Sequence, residues 1–276
     1  MPPTVPKYPK SKTETNMNST LKPKQKRVWY FRALKRIMRC RYKEPTFMYL
    51  GEHIENSAVI LSNHEGTDAP MAMEIYLDRP LRMWGASEMN SGLGKLYKYQ
   101  TNIYYYEKKH WNIHLARLFC LIASPLTYLF YSGLDLISTY RDINFVKTVR
   151  ESLQALESGD NVVIYPEVSD NGYLAELEAF HGGFSTFADI ARKKGVDVKT
   201  FVSYYRKSDN VYIIDAPVMY SELHEKFGGD KEKISRWLCD RCNELGKMQF
   251  TEEELAAKKH DQKIDGTSII KEKIVS

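Results

Sequence analysis

The chain has 276 residues, 43% of them apolar, and a formal net charge of +5, which suits one large α/β domain and excludes wholesale disorder. Four cysteines, Cys40, Cys120, Cys239 and Cys242, are too few and too scattered for a disulfide framework, so a reducing cytosol is expected. No apolar leader opens the sequence, and the longest run without a formal charge, 118–134, has 17 residues and contains Pro125, short of the roughly 20 needed to span a bilayer.

Charge is unevenly placed. Residues 1–44 hold 13 Lys and Arg against Glu14 and Glu44, a net of +11 that leaves −6 for the remainder. Residues 1–26, rich in Pro, Lys, Ser, Thr and Asn, read as a disordered basic tail. Within residues 27–44, Phe31, Leu34, Ile37 and Met38 recur at helical spacing, with Arg32, Lys35, Arg36 and Arg39 opposite. That pattern predicts a basic amphipathic helix. Such a helix either lies on an anionic membrane surface or packs its stripe on the domain. No helix-turn-helix, zinc-finger or RNA-binding signature accompanies the charge, so nucleic acid is not expected as a partner.

From residue 45 the chain alternates short apolar runs with helical patterns. Strands are expected at 47–54 and 57–63, joined by the polar turn Glu55–Asn56, and then at 82–87, 134–139, 161–167, 199–205 and 210–218. One helix is bounded by Asp142 as N-cap and Gly159 as C-cap, with Val146, Val149, Leu153 and Leu156 as its apolar stripe. A second follows "FHGG", with Phe184, Phe187 and Ala191 inward and Gly195 at its end. The expected architecture over 45–222 is therefore α/β: a mixed, largely parallel sheet covered by helices on both faces. A C-terminal helical extension, 223–276, is expected to pack on it. Ile234, Leu238, Cys242 and Leu245 share one helical face there, so the C-x-x-C at 239–242 reads as core rather than as half of a zinc site.

The aromatic segment from Lys95 to Tyr131 admits two readings. It is extra core, or it forms an acyl-chain groove or a patch that dips into a membrane.

Chemistry concentrates after the second strand. "SNHEGTDAP" (62–70) sets His64 and Asp68 four apart. A neutral imidazole can take a proton from a hydroxyl attacking a carbonyl if a carboxylate holds its other nitrogen. The two meet if the turn runs straight into a helix, whose N-terminus would also offer free N–H groups. The plain structural alternative is that Asp68 caps the following helix and His64 is a satisfied loop histidine. "HGG" at 181–183 raises a lipase or esterase reading, but no G-x-S-x-G elbow exists in the chain.

In order, "SNHEGTDAP", "GLDLISTYRD", "ESGDNVVIYPEVSDNG", "FHGGFSTFADIARKKG" and "DAPV" resemble the phospholipid/glycerol acyltransferase family, the lysophosphatidic acid acyltransferase-like group, over about residues 45 to 220. The resemblance implies His64 as general base and Asp68 as its orienting partner. Arg141, Pro166, Glu167, Ser169 and Gly183 would contact acceptor or donor. It further implies acyl-CoA or acyl-ACP as donor substrate, with no cofactor or metal, acyl carrier protein as a possible partner, a lipid-like acceptor, and a peripheral site on the cytoplasmic side of a membrane.

Two departures stand out. Only three residues separate His64 from Asp68 where the family has four, so either the pair still meets or Glu65 or another acid orients the ring. In the third block Val168, Ser169 and Asp170 stand where the family has Gly, Thr and Arg. A carboxylate cannot bind phosphate as a guanidinium does, so acceptors other than glycerol phosphate remain open. A catalytically silent acyltransferase fold that binds lipid is the alternative.

Overall fold

Three runs, Val59–Ser62, Asn161–Ile164 and Val211–Ile214, are buried at every position, and uninterrupted burial of this kind needs a sheet covered on both faces. The computed structural model describes residues 27–168 and 175–259. The expected tail at 1–26, Ser169, and residues 260–276 of the C-terminal extension lie outside the described residues.

In chain order the elements are α1 (Trp29–Met38), β1 (Thr46–Tyr49), β2 (Val59–Ser62), α2 (Asp68–Tyr76), β3 (Leu81–Ala86), α3 (Ser87–Asn90) and α4 (Leu93–Lys98). A π-helix (Tyr99–Lys108), α5 (Ile113–Leu134), β4 (Ile137–Thr139), α6 (Phe145–Glu157), β5 (Asn161–Ile164) and α7 (Gly183–Lys193) follow. β6 (Lys199–Arg206), β7 (Val211–Ile214), β8 (Val218–Met219), α8 (Tyr220–Lys226) and α9 (Lys231–Lys247) complete the series.

The sheet order is β1-β7-β6-β2-β5-β3-β4, with β8 also on β6. From β6 through β2, β5 and β3 to β4 all neighbours are parallel. β7 returns antiparallel to β6, and β1 runs parallel to β7. The sheet is thus mixed and largely parallel. β1 and β2 are not the adjacent pair that their short polar connection suggested, because the β6–β7 hairpin lies between them. β2 is buried on both faces and is flanked by parallel partners on both sides, β5 and β6.

Alternation along each strand divides the core. Val59, Leu61, Val162 and Ile164 face α6, α7 and α9, meeting Leu153, Phe187 and Leu238. Ile60 and Val163 face the other way, toward Met73 of α2 and Phe31 of α1. Helices therefore cover both faces. α9 supplies Ile234, Leu238, Cys242 and Leu245 to the first layer, so the C-terminal helices are part of the main core, and the C-x-x-C cysteines are packed within it. Gly246 lets α9 approach β6, since a Cβ there would stand 2.8 Å from the Tyr204 ring.

The caps Gly159 and Gly195 adopt positive φ, at 87° and 84°, one residue past the C-caps of α6 and α7, the conformation that glycine permits at least cost. α6 starts later than its sequence suggested: Asn144 is the N-cap, and Asp142 accepts the Asn144 N–H at 2.9 Å. Its inner face is also more polar than expected. Val146 is exposed, while Thr148 and Ser152 are buried, the first donating to the Ser138 carbonyl and the second accepting from the Trp84 indole.

α1 docks on the domain. Phe31 is fully buried and lies 5.6 Å from Phe130 of α5, and it fills the space where a side chain on Gly133 would sit. Arg27 makes a two-pronged pair with buried Glu74 of α2, at 3.2 and 2.9 Å, and Lys35 reaches the same carboxylate at 3.1 Å. Phe31, Leu34 and Met38 therefore pack against the core, leaving Ile37 exposed with Arg32, Arg36 and Arg39.

α5 is longer than the 17-residue run read from sequence. It begins at Ile113, capped by Asn112, whose side chain accepts the His114 N–H. It passes exposed Arg117 and Pro125 without ending, giving 22 residues. The charge at Arg117 had set the start of the expected segment five residues late.

Candidate active site

β2, β5, β3 and β4 run in one direction, so the residues that follow them gather along one edge of the sheet, where ligand sites of open α/β sheets form. His64 lies two residues past β2, Glu167 three past β5, and Arg141 two past β4. At about 4.8 Å per strand, Arg141 stands roughly 14 Å along the edge from His64. It is exposed.

The ground beneath His64 is closely bonded. Asn63 is buried, and its side chain accepts the Tyr205 N–H at 2.7 Å and donates to the Tyr205 carbonyl at 2.9 Å. The side chain thus adds one rung to the β2–β6 ladder after the β2 backbone has turned away. Ser62 bonds the Tyr212 hydroxyl at 2.9 Å. The Tyr165 ring meets the His64 ring edge-on, with centroids 5.1 Å apart.

Glu65 and Gly66 then turn the chain sharply, with φ of 39° and 65°, and α2 starts at Asp68. His64 is half-buried, and burial lowers its pKa from the ordinary 6.5, with backbone groups of Gly66 and of His64 itself acting in the opposite direction. At neutral pH the ring is therefore uncharged and able to accept a proton.

The expected His64–Asp68 pair is not what this turn produces. The Asp68 carboxylate lies 2.6 Å from the Lys207 ammonium, and among the described contacts no hydrogen bond joins it to the His64 ring. The two left-handed residues at 65 and 66 replace the continuous helical path that would have stacked positions 64 and 68. The acid that reaches the histidine segment is Glu167, which is buried and accepts the His64 backbone N–H at 2.9 Å. Glu167 thus fixes the histidine's backbone across the β2–β5 boundary, a more structural role than the substrate contact expected from sequence.

Glu167 is held in turn. Its segment pairs with 179–181: Val168 N–H donates to the Ala179 carbonyl at 3.0 Å, and His181 N–H donates to the Pro166 carbonyl at 2.7 Å. Gly183 opens α7 immediately afterwards, with the Trp84 ring 3.3 Å from where its Cβ would be. The structure therefore brings Glu167 onto His64 and ties Pro166 to His181, two residues before Gly183. Arg141 lies on the same edge farther along, and Asp68 turns to the β6–β7 turn. Sequence reasoning missed Asn63, Tyr165 and Lys207. The first two had a local signal, Asn63 beside the histidine and Tyr165 beside Pro166; Lys207 had none.

No model of a known protein family matches the chain, and no curated protein matches it.

Proposed function

We propose that the protein is an acyltransferase, moving an acyl group from a thioester on coenzyme A or acyl carrier protein to a hydroxyl of a lysophospholipid, glycerol phosphate or other lipid-like acceptor. One observation carries the reading. Sequence blocks 100 residues apart meet at a half-buried, neutral histidine whose backbone amide is held by buried Glu167. His64 takes the acceptor's proton as its oxygen attacks the thioester carbonyl, the C–S bond breaks as the ester C–O bond forms, and the proton passes to the departing thiolate. On the protein side the imidazole carries the proton between the two steps. Arg141, exposed at the β4 end, suits an anionic head group on the acceptor.

Palmitoyl and oleoyl thioesters offered with a mixed pool of lysophospholipids, glycerol phosphate and polar lipid extract, read by mass spectrometry, test it. A new ester is expected with wild type, and His64→Ala is expected to lose on the order of 100- to 10,000-fold in rate. No ester from either thioester, on either carrier, overturns the reading.

The Lys207–Asp68 pair favours a second reading, a silent acyltransferase-like fold that binds lipid without reacting. Lipid binding that is unchanged by His64→Ala, with no turnover, would support it.

A further inference from the structure

α5 has two unlike faces. Ala116, Cys120 and Ser124 are buried, and Ser124 donates to Gln100 of the π-helix at 2.7 Å. On the other side Leu115, Leu118, Ile122, Leu126 and Leu129 recur every three or four residues and are exposed, Ile122 at 73% and Leu126 at 66%. Water does not ordinarily meet a continuous stripe of this length. Trp111, Tyr104 and Tyr106 are exposed at its amino-terminal end.

The 22 residues of α5, with a mean hydropathy of 1.5, match a membrane span by length and composition. Topology forbids a single crossing. β3 precedes the helical segment and β4 follows it, and these strands are hydrogen-bonded neighbours, with Trp84 opposite Ile137 and Ala86 opposite Thr139. One crossing would place the pair on opposite sides of the bilayer. A second would have to come from residues 91–112, which carry Lys95, Lys98, Glu107, Lys108 and Lys109. That stretch cannot enter hydrocarbon. An apolar helix that cannot cross, yet presents one apolar face, fits in the plane of the interface.

The surrounding charge selects the occupant. Residues 93–134 hold Lys95, Lys98, Lys108, Lys109 and Arg117 against Glu107 alone. α1, bonded to the end of α5 through Tyr30 and Ser132 at 3.0 Å, adds exposed Arg32, Arg36 and Arg39. A second copy of the chain would bring the same cations against these, whereas anionic lipid head groups complement them.

We propose that the outer face of α5 is a membrane-docking surface, lying in the plane of an anionic bilayer with its Leu and Ile side chains below the head groups and Trp111, Tyr104 and Tyr106 at their level. The surface stands or falls independently of acyl transfer, since its test reads binding alone.

Sedimentation of the full chain with sucrose-loaded phosphatidylcholine vesicles, with and without phosphatidylglycerol, is compared for wild type and the double variant Leu118→Glu/Ile122→Glu. Wild type is expected to bind the anionic vesicles more strongly. The variant is expected to lose on the order of 100-fold in partitioning while melting at the same temperature, because both side chains are already in solvent. Equal binding by the two proteins, binding indifferent to phosphatidylglycerol, or no binding by wild type overturns the proposal. Light scattering that finds wild type dimeric and the variant monomeric would assign the face to a second copy instead.

Discussion

The edge around His64 and the outer face of α5 are both surface, but they meet solvent in opposite ways. At the edge, polar side chains are tied to backbone that would otherwise lie open: Asn63 to Tyr205, Glu167 to His64, Pro166 to His181. Along α5, apolar side chains project without polar partners. Buried polar groups are costly unless satisfied, so the first region is rigid by construction. Exposed apolar groups add nothing to folding and gain free energy only when something covers them, so the second region is shaped for an occupant rather than for stability.

The sharpest way to break this contrast is Glu167→Ala. It leaves the His64 amide buried without its acceptor and is expected to cost about 1–3 kcal/mol of stability, with transfer lost alongside. Glu167→Gln keeps an acceptor oxygen and should recover most of both, as urea unfolding and the ester assay would read. A Glu167→Ala protein as stable as wild type would show that the edge is looser than its bonds imply.

Next in size is the response to pH. Burial holds His64 below its ordinary 6.5, so the unfolded chain takes up this proton before the folded one does. The stability gained from a neutral His64 is complete above 6.5 and is lost as pH falls through the folded value. The rate of acyl transfer at limiting substrate should likewise be flat at neutral pH and fall only on the acid side of 6.5. An NMR titration of the His64 ring with a midpoint at or above 6.5 would contradict the burial argument.

The smallest effect is expected from Asp68→Asn. With the carboxylate on Lys207, transfer should stay within about tenfold of wild type, whereas removing the charge from a true histidine-orienting aspartate costs thousands-fold. A loss matching that of His64→Ala would place Asp68 on the ring during turnover.

What could be read in advance follows from how far each interaction reaches along the chain. β2, β5 and β7 were legible because their neighbours impose burial on both faces, which leaves a continuous apolar run. The caps at Gly159 and Gly195 were legible because the backbone there needs positive φ. The strand order was not, since nothing within 46–62 records that β6 and β7, some 140 residues on, insert between β1 and β2. The same distance hid the partner of Asp68, because Lys207 sits in the β6–β7 turn and no local spacing points to it. His64 was singled out by its motif, but its support from Glu167 depends on β2 and β5 being neighbours. The amino-terminal helix was legible as amphipathic. That its stripe is covered by the domain rests on Gly133, one small residue on a helix far along the chain.

A crossover between adjacent parallel strands needs only a dozen or so residues, yet the passage from Ala86 to Ile137 runs through α3, α4, the π-helix and α5. The two strands still meet side by side in parallel, with Trp84 opposite Ile137 and Ala86 opposite Thr139. From an engineer's standpoint the excess is a cartridge seated at a junction whose geometry the sheet fixes: a different surface could be exchanged there without rebuilding the strands that carry His64 and Glu167, provided the seat for Phe31 at Gly133 travels with it.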